Sequence, residues 1–433
     1  MEYEAVHDIA QCIADAGGRA LVVGGYVRDH LLGIESKDLD VEVYGLSADE
    51  LEAVLSKFGR VIAVGRAFGV LRVKGIDVDF ALPRRDSKVA SGHRGFLVEP
   101  DPKLDFAEAS RRRDLTINSM GLDPLSGEVL DPHGGRRDLE QKILRATDPR
   151  YFAEDPLRGL RAAQFAARFE MRPDETLTAL CRGLDLSELP AERIFAELDK
   201  LLVKGQKPSL GLTFLYDSGL LSFFPELRAL VGVPQDPEWH PEGDVWVHTL
   251  MVLDEAARLR DGGPDDAALM FGALCHDLGK PSTTYEAGGR IRSPGHDTDG
   301  VAIVRGFLRR LRAPGELTKK VEVLTRYHLA PMLYAKQGAT ARAYRRLARR
   351  LDAAGVSIDL LYRLARADHL GRTTREAKAR IFPAGDTFLD KIRALDLDNR
   401  PPQDVVQGRH LIARGLEPGP EFSDILTRCR ELQ

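Results

Sequence analysis

Cysteine is scarce in this chain: four among 433 residues, Cys12, Cys181, Cys275 and Cys429, with no CxxC spacing. Neither a disulfide framework nor a cysteine zinc site is expected. Long hydrophobic runs are missing, and nothing approaches the roughly 18–20 uninterrupted apolar residues of a membrane helix. The opening MEYEAVHDIAQCIADAG lacks the basic and apolar regions of a signal peptide, so a cytoplasmic protein with no membrane partner is expected. Charge of one sign is lacking too: 62 basic against 66 acidic residues, net −4. There is no internal repeat, no low-complexity segment and no GxxxxGK[ST] run, which excludes a P-loop. What remains is a composition with 43% hydrophobic and 30% charged residues, ordinary for a globular protein, on a chain long enough for two to four domains.

The distribution of charge says more than its sum. Arg111, Arg112 and Arg113 are contiguous, and Arg342, Arg345, Arg346, Arg349 and Arg350 recur at helical spacing. Such clusters suit phosphate contacts, although solvated helix faces look the same. Residues 1–145 read as mixed α/β. Ala20 to Val23 is a short apolar strand running into Gly24-Gly25, Tyr26 to Leu32 reads as a helix ended by Gly33, and Asp38 to Tyr44, Val70 to Val73 and Asp77 to Phe80 alternate as half-buried strands. Beyond about residue 146 helical periodicity takes over, in LRGLRAAQFAARF, ERIFAELDKLL, HTLMVLDEAARL and FLRRLRAPGELTKKVEVL. Turn-rich breaks fall at Gly232 to Pro241, Gly288 to Gly295 and Asn399 to Pro402.

The run LVVGGYVRDHLLGIESKDLDVEVYG carries the most chemistry. A strand feeding two glycines at a helix start offers free backbone N–H groups to a phosphate, and Arg28 one turn later adds a charged fork. On the next strand Asp38, Asp40 and Glu42 share one face, while Leu39, Val41 and Val43 point to the core. Paired carboxylates of this kind grip divalent ions, which phosphoryl-type transfer needs to neutralise a triphosphate and activate a hydroxyl. A third acid on an adjacent strand completes such a site; Asp77 and Asp79 are candidates.

The ordered set GGYVRD, DLD, RRRDLTINSM and AEDPLRGLRAAQFAARF resembles the class II tRNA nucleotidyltransferases and bacterial poly(A) polymerases. The resemblance implies an α+β fold: a polymerase β-like nucleotidyltransferase head, then an all-helical neck, body and HD domain. It also implies that Asp38 and Asp40 hold Mg2+ with Asp79 as the third catalytic acid, that Gly25 and Arg28 contact the triphosphate, and that Arg113 contacts the nucleotide. CTP, ATP and tRNA are the implied partners.

In EDPLRGLRAAQ, Pro156 marks a helix start, so Asp155, Arg158, Arg161 and Gln164 follow at i, i+3 spacing along one face. Cytosine and adenine both place an amino donor beside a ring-nitrogen acceptor; uracil and guanine reverse this. A carboxylate that only accepts, next to a guanidinium that only donates, matches C and A and repels U and G. Relatives commonly carry a third basic residue where Gln164 stands, so a triphosphate contact does not carry over to that position.

A second constellation lies in HTLMVLD, ALCHDLGK, GHDTDG, RYHLAP and RADHLGR. It supplies His248, His276, Asp277 and Asp368, with His296 and His328 as auxiliaries, ligand types that hold one or two divalent metals and activate water. His7-Asp8, in an N-terminal helix, shows that an HD dipeptide alone proves little. The full order resembles HD-domain metal phosphohydrolases, whose metal here is unidentified. The expected division is a head over 1–145, a neck and body binding nucleotide and RNA over 146–240, an HD domain over 241–375 and a C-terminal helical tail contacting RNA over 376–433.

The expected activity is template-independent addition of C and A to the tRNA 3′ end, with a phosphatase or phosphodiesterase activity in the HD region. Restriction to CC or to A, a poly(A) polymerase, and an HD phosphohydrolase with an RNA-binding head are the alternatives. The stretch from Pro83 to Arg113, polar and Gly-containing at Ser91 to Gly95, resembles the family's flexible loop that reshapes the pocket from C to A, which favours addition of both.

Overall fold

The computed structural model describes residues 2–36, 39–64, 70–88, 96–398 and 405–432. These fall into two compact units: Met1–Arg193 with Leu210–Phe223, and Ile194–Ser209 with Phe224–Gln433.

The first unit is built on a seven-stranded sheet. Its strands are β1 (Arg19–Val23), β2 (Leu39–Tyr44), β3 (Val61–Val64), β4 (Val70–Val73), β5 (Val78–Ala81), β8 (Gly121–Leu122) and β9 (Val129–Leu130), in the order β3-β4-β5-β2-β1-β8-β9. Strict alternation fixes the register, because a one-residue slip would turn Leu39, Val41 and Val43 out of the core; all three are buried while Asp40 is exposed. β2 runs antiparallel to β1 and parallel to β5, with Asp40 opposite Asp79. The helix Ala48–Leu55 follows β2, its start fixed by a capping box in which Ser47 and Glu50 bond each other's backbone N–H. The helix Glu2–Asp15 packs on β1 and buries Val6, Ile9 and Ile13, as its spacing predicts. His7 and Asp8 are exposed on its other side.

Between Pro83 and Arg113 the chain forms a hairpin, β6 (Arg84–Lys88) against β7 (Phe96–Pro100), which alternation had not revealed. The stretch Ser91 to Gly95 lies outside the described residues. The helix Leu157–Phe169 matches the periodic run in the sequence and ends where Glu170 takes a φ of 52°.

In the second unit the helix Asp266–Cys275 is buried on nearly every side. Packed on it are the helices Val245–Arg258, Gly315–Tyr327 and Ile358–Leu370, and His296–Arg310 packs on Gly315–Tyr327. The periodic run FLRRLRAPGELTKKVEVL divides into two helices rather than one, because Arg312 sits at φ 55° and Pro314 supplies no N–H. The turn-rich Gly288 to Gly295 break contains a small hairpin, Tyr285–Ala287 with Arg290–Arg292, turned by two positive-φ glycines, Gly288 and Gly289.

Candidate active sites

A cavity of about 540 Å³ opens beside the β2–β5 pair of the first unit; Gly24, Gly25, Arg28, Asp40, Glu42, Asp79, Arg113, Asp155, Arg158 and Arg161 all line it. Of the residues expected at this site, Asp77, Arg111 and Gln164 do not line it, and Asp38 lies outside the described residues. Gln164 is buried within its helix and does not line the cavity. The helical face is therefore shorter than i, i+3 spacing suggested, because the fourth position turns into the core.

Asp40 and Asp79 sit side by side on adjacent parallel strands, about 4.8 Å apart along the hydrogen-bonding direction. Arg72 grips Asp79, its Nε at 2.7 Å and Nη2 at 2.6 Å, both on Oδ1. Asp77 also pairs with Arg72, at 3.3 Å, but is largely exposed and does not line the cavity. Of the two candidate acids, only Asp79 shares the cavity with Asp40.

The glycine turn approaches its neighbours closely. Gly24 has φ 76°, and a Cβ there would lie 2.9 Å from Arg113 Nη1. Gly25 then opens a helix of seven residues, Gly25–Leu31. Arg28 is almost wholly buried. It donates to Asp29 from Nε at 2.8 Å and to Asn118 from Nη1 at 2.6 Å, and lies over the Phe165 and Phe169 rings at 5.1 and 4.7 Å. Burial lowers its pKa and the Asp29 carboxylate opposes that. Arg28 is a guanidinium fixed in the cavity wall, not a swinging one.

The Arg111–Arg113 cluster is not an open basic patch. Arg111 pairs with Glu108, Arg112 with Glu154, and Arg113 with Glu42 at 2.7 Å. Burial disfavours the charge on Arg113, but Glu42 outweighs it and the pKa rises. Arg161 donates from Nε to Asp114 at 2.7 Å. Arg158 donates to the Tyr151 and Arg112 carbonyls, each at 2.7 Å. Asp155 accepts from the Leu157 N–H at 3.1 Å and pairs with Arg193 at 3.2 Å. Asp155 and Arg158 thus do not neutralise each other. A guanidinium has five N–H donors and a carboxylate about four acceptor positions, so both retain capacity for a base edge.

In the second unit the HD residues converge although up to 120 positions separate them. His248 Nε2 lies 3.1 Å from Asp368 Oδ1 and 3.9 Å from Asp277 Oδ2. His276 Nε2 lies 3.1 Å from Asp277 Oδ2, while His296 and His328 Nε2 lie 3.4 and 4.0 Å from Asp277 Oδ1. His276, His296 and His328 each donate from Nδ1 to a carbonyl three residues earlier, at 2.7–2.8 Å. That tautomer leaves Nε2 as the lone-pair donor facing the cluster. His276 Nε2 and Asp277 Oδ1 are buried without a hydrogen-bond partner, while the Lys280 ammonium stands at Oδ2; a cation at Oδ1 would relieve that burial. Donor type, tautomer and the orphaned atoms all fit a divalent metal.

Several neighbours were not singled out in the sequence. Glu242 Oε1 lies 2.9 Å from both His240 Nδ1 and His248 Nδ1, a carboxylate behind a candidate ligand. Lys280 reaches Asp277 at 2.7 Å and Arg372 reaches Asp368 at 3.1 Å. Burial works to raise the Asp277 and Asp368 pKa values, but His276 with Lys280, and Arg372 with His248, hold both carboxyls well below the usual range. His328, buried beside two other imidazoles, is pushed down to about 3 and is neutral. The HPEGD run before His248 and the lysine of LGK were the available signals for Glu242 and Lys280; Arg372 follows Asp368 by one helical turn. Gly279 earns its place in LGK by close approach: a Cβ would lie 2.1 Å from the His296 carbonyl oxygen.

Comparisons with known proteins agree with this layout. Residues 20–145 match the poly A polymerase head domain, 174–230 the probable RNA and SrmB-binding site of polymerase A, and 245–370 the HD domain. The chain is 38% identical over 421 residues to a multifunctional CCA protein of Xanthomonas campestris pv. campestris, covering 94% of this chain and 96% of that one. It is 38% identical over 425 residues to the one from Methylococcus capsulatus, covering 95% and 93%. Its fold resembles the CCA-adding enzyme of Bacillus stearothermophilus in complex with CTP, at TM-score 0.63 and 21% identity, over 99% of this chain and 92% of the other. It also resembles that of Thermotoga maritima complexed with tRNA, at TM-score 0.61 and 18% identity, over 99% and 90%.

Proposed function

The chain belongs to the multifunctional CCA proteins, and from that premise we propose that it adds C and A nucleotides, from CTP and ATP, to the 3′ end of tRNA. The observation that carries this reading is a single cavity holding Asp40, Asp79, the Gly24-Gly25 turn, Arg113 and the Asp155–Arg158 pair together.

Asp38 and Asp40, with Asp79 alongside, supply the carboxylates that would hold magnesium. When bound, that ion neutralises the triphosphate and sharpens the attacking hydroxyl. Gly25 and the fixed guanidinium of Arg28 border the triphosphate position, and Arg113, oriented by Glu42, meets the nucleotide. The RNA 3′ hydroxyl attacks the α-phosphorus; the O–P bond forms as pyrophosphate leaves with the electron pair. Asp155 accepts from the exocyclic amino group and Arg158 donates to the ring nitrogen, which C and A satisfy and U and G do not. Arg161 extends that wall, held by Asp114. The matched RNA-binding region at 174–230 supports tRNA as the second substrate. No helix among the described residues is long and apolar enough to cross a membrane, in keeping with a cytoplasmic enzyme.

The second unit carries a metal-dependent phosphohydrolase. His248, His276, Asp277 and Asp368 would hold the cation, with His296 and His328 beside Asp277; the bound metal supplies a nucleophilic water. Hydrolysis would replace the P–O ester bond by a P–OH bond, the ester oxygen leaving as an alcohol with the second proton of the water. Lys280 and Arg372 present charge to the phosphate, and Glu242 holds the His248 ring in place.

The two activities are tested together by incubating the purified protein with CCA-lacking tRNA and labelled CTP or ATP, and separately with phosphate esters and magnesium, manganese, nickel or cobalt. Incorporation of C and A, with ester hydrolysis abolished by chelation, is the expected result. Absence of incorporation overturns the first assignment, and absence of hydrolysis with every metal overturns the second.

A further inference from the structure

Trp239 is 45% exposed and lines the same cavity as the buried ionic cluster of Asp277, Lys280, His296 and Arg372. The cavity measures about 280 Å³, close to the lower end of the range for small-molecule sites. Its two ends differ in chemistry. At the inner end Arg372, only 10% exposed, gives Nη2 to Asp368 and keeps an Nε–H with no partner; Lys280 stands at Asp277. That end is built for an anionic oxygen. At the outer end the exposed Lys336 places its ammonium 4.7 Å from the Trp239 ring centroid, which fixes the indole by a cation–π contact.

We infer that Trp239 and Lys336 form a base-stacking platform that makes the hydrolytic site selective for phosphate esters of nucleosides. The phosphate takes the Arg372–Lys280 end, and the flat ring of the base stacks on the indole, as bases stack on aromatic side chains elsewhere. This rests on the phosphohydrolase reading above and adds the determinant of its substrate choice.

The test uses the full chain with its activating metal, comparing adenosine 3′-monophosphate with the ring-free glycerol 2-phosphate. In Trp239→Ala the ratio of kcat/KM for the nucleotide to that for glycerol 2-phosphate should fall at least about fivefold, and Trp239→Phe should restore most of it. Binding is read independently by tryptophan fluorescence. Trp246, the other tryptophan, is buried, so saturable quenching by the nucleotide, lost in Trp239→Phe and not produced by glycerol 2-phosphate, reports stacking on Trp239. An unchanged ratio in Trp239→Ala, or no quenching by the nucleotide, overturns the inference. Quenching without hydrolysis of either ester by the wild-type protein sinks the hydrolase reading and leaves the platform standing.

Discussion

Glu42 and Arg113, 71 positions apart in the chain, meet across the cavity wall. Arg113 Nη2 donates to Glu42 Oε1 at 2.7 Å while the Tyr44 hydroxyl donates to Oε2 at 2.7 Å. Both oxygens of the carboxylate are thus engaged, and one of them holds Arg113 in the cavity wall. Glu42→Gln should raise KM for CTP and ATP by about tenfold, as loss of a charge-assisted hydrogen bond implies, with a smaller change in kcat. Initial rates across nucleotide concentrations read the split; a kcat loss with unchanged KM would place Glu42 in the chemistry instead.

Asp40 stands next to Asp79 in register, and its carboxylate is assigned to the metal. Asp40→Asn keeps the size and loses the charge, so nucleotide addition should fall by about 100-fold or more, the several kcal/mol that metal-held charge contributes. Asp38→Asn should do the same. tRNA binding, measured by gel shift, should stay within about twofold. Near-normal incorporation by either variant would remove them from the catalytic set.

Much of this site was legible beforehand because its parts are local. Alternation along β2 places Asp40 and Glu42 on one face, and Gly-Gly after an apolar strand marks the turn. The helix Leu157–Phe169 coincides with its periodic run. What sequence pattern does not encode is which strand pairs with which. The Asp79–Arg72 bond, the Glu42–Arg113 bond and the β6–β7 hairpin all depend on sheet register. Gln164 was misplaced on the cavity face because 3.6-residue periodicity lets an i, i+3 row drift, and by the fourth position it has turned inward. In the second unit the imidazoles announced themselves by type, whereas the approach of Asp368 to His248, 120 positions away, depends on the packing of the helices Val245–Arg258 and Ile358–Leu370.

Base selection should follow hydrogen-bond polarity. In the double variant Asp155→Arg with Arg158→Asp the acceptor and donor exchange places, so preference for CTP and ATP over UTP and GTP should relax or invert. Incorporation of each of the four labelled nucleotides is the measurement. Discrimination that stays at the wild-type level shows that another group reads the base. The wild-type bonds of Arg158 to the Tyr151 and Arg112 carbonyls will be lost as well, so turnover should also drop.

In the proposed hydrolytic centre His248, His276, Asp277 and Asp368 would hold the cation that hydrolysis needs. Asp277→Asn or His276→Ala should abolish metal-stimulated ester hydrolysis, and chelation of the wild-type protein should do so reversibly. Nucleotide addition by both variants should remain within about twofold, since the two sets of residues lie in different compact units. Parallel loss of both activities would contradict that separation.

Gly279→Ala tests the packing beneath the same centre. Its Cβ would fall 2.1 Å from a backbone oxygen, a clash that no side-chain rotation relieves. The variant should lose about 1–3 kcal/mol of stability and, by displacing His296, most of its hydrolysis. Thermal unfolding reads the first effect. A midpoint equal to that of the wild type would show that the two backbones do not approach so closely.

The claim that one base-reading wall serves both C and A is tested most directly with three tRNAs: one lacking CCA, one ending in a single C and one ending in CC. Each is incubated with one labelled nucleotide at a time. The account predicts C on the first two, A on the third, and no extension with UTP or GTP. Failure to extend the CC-ending tRNA with ATP, alongside efficient addition of C, would contradict it, as would addition of A without any addition of C.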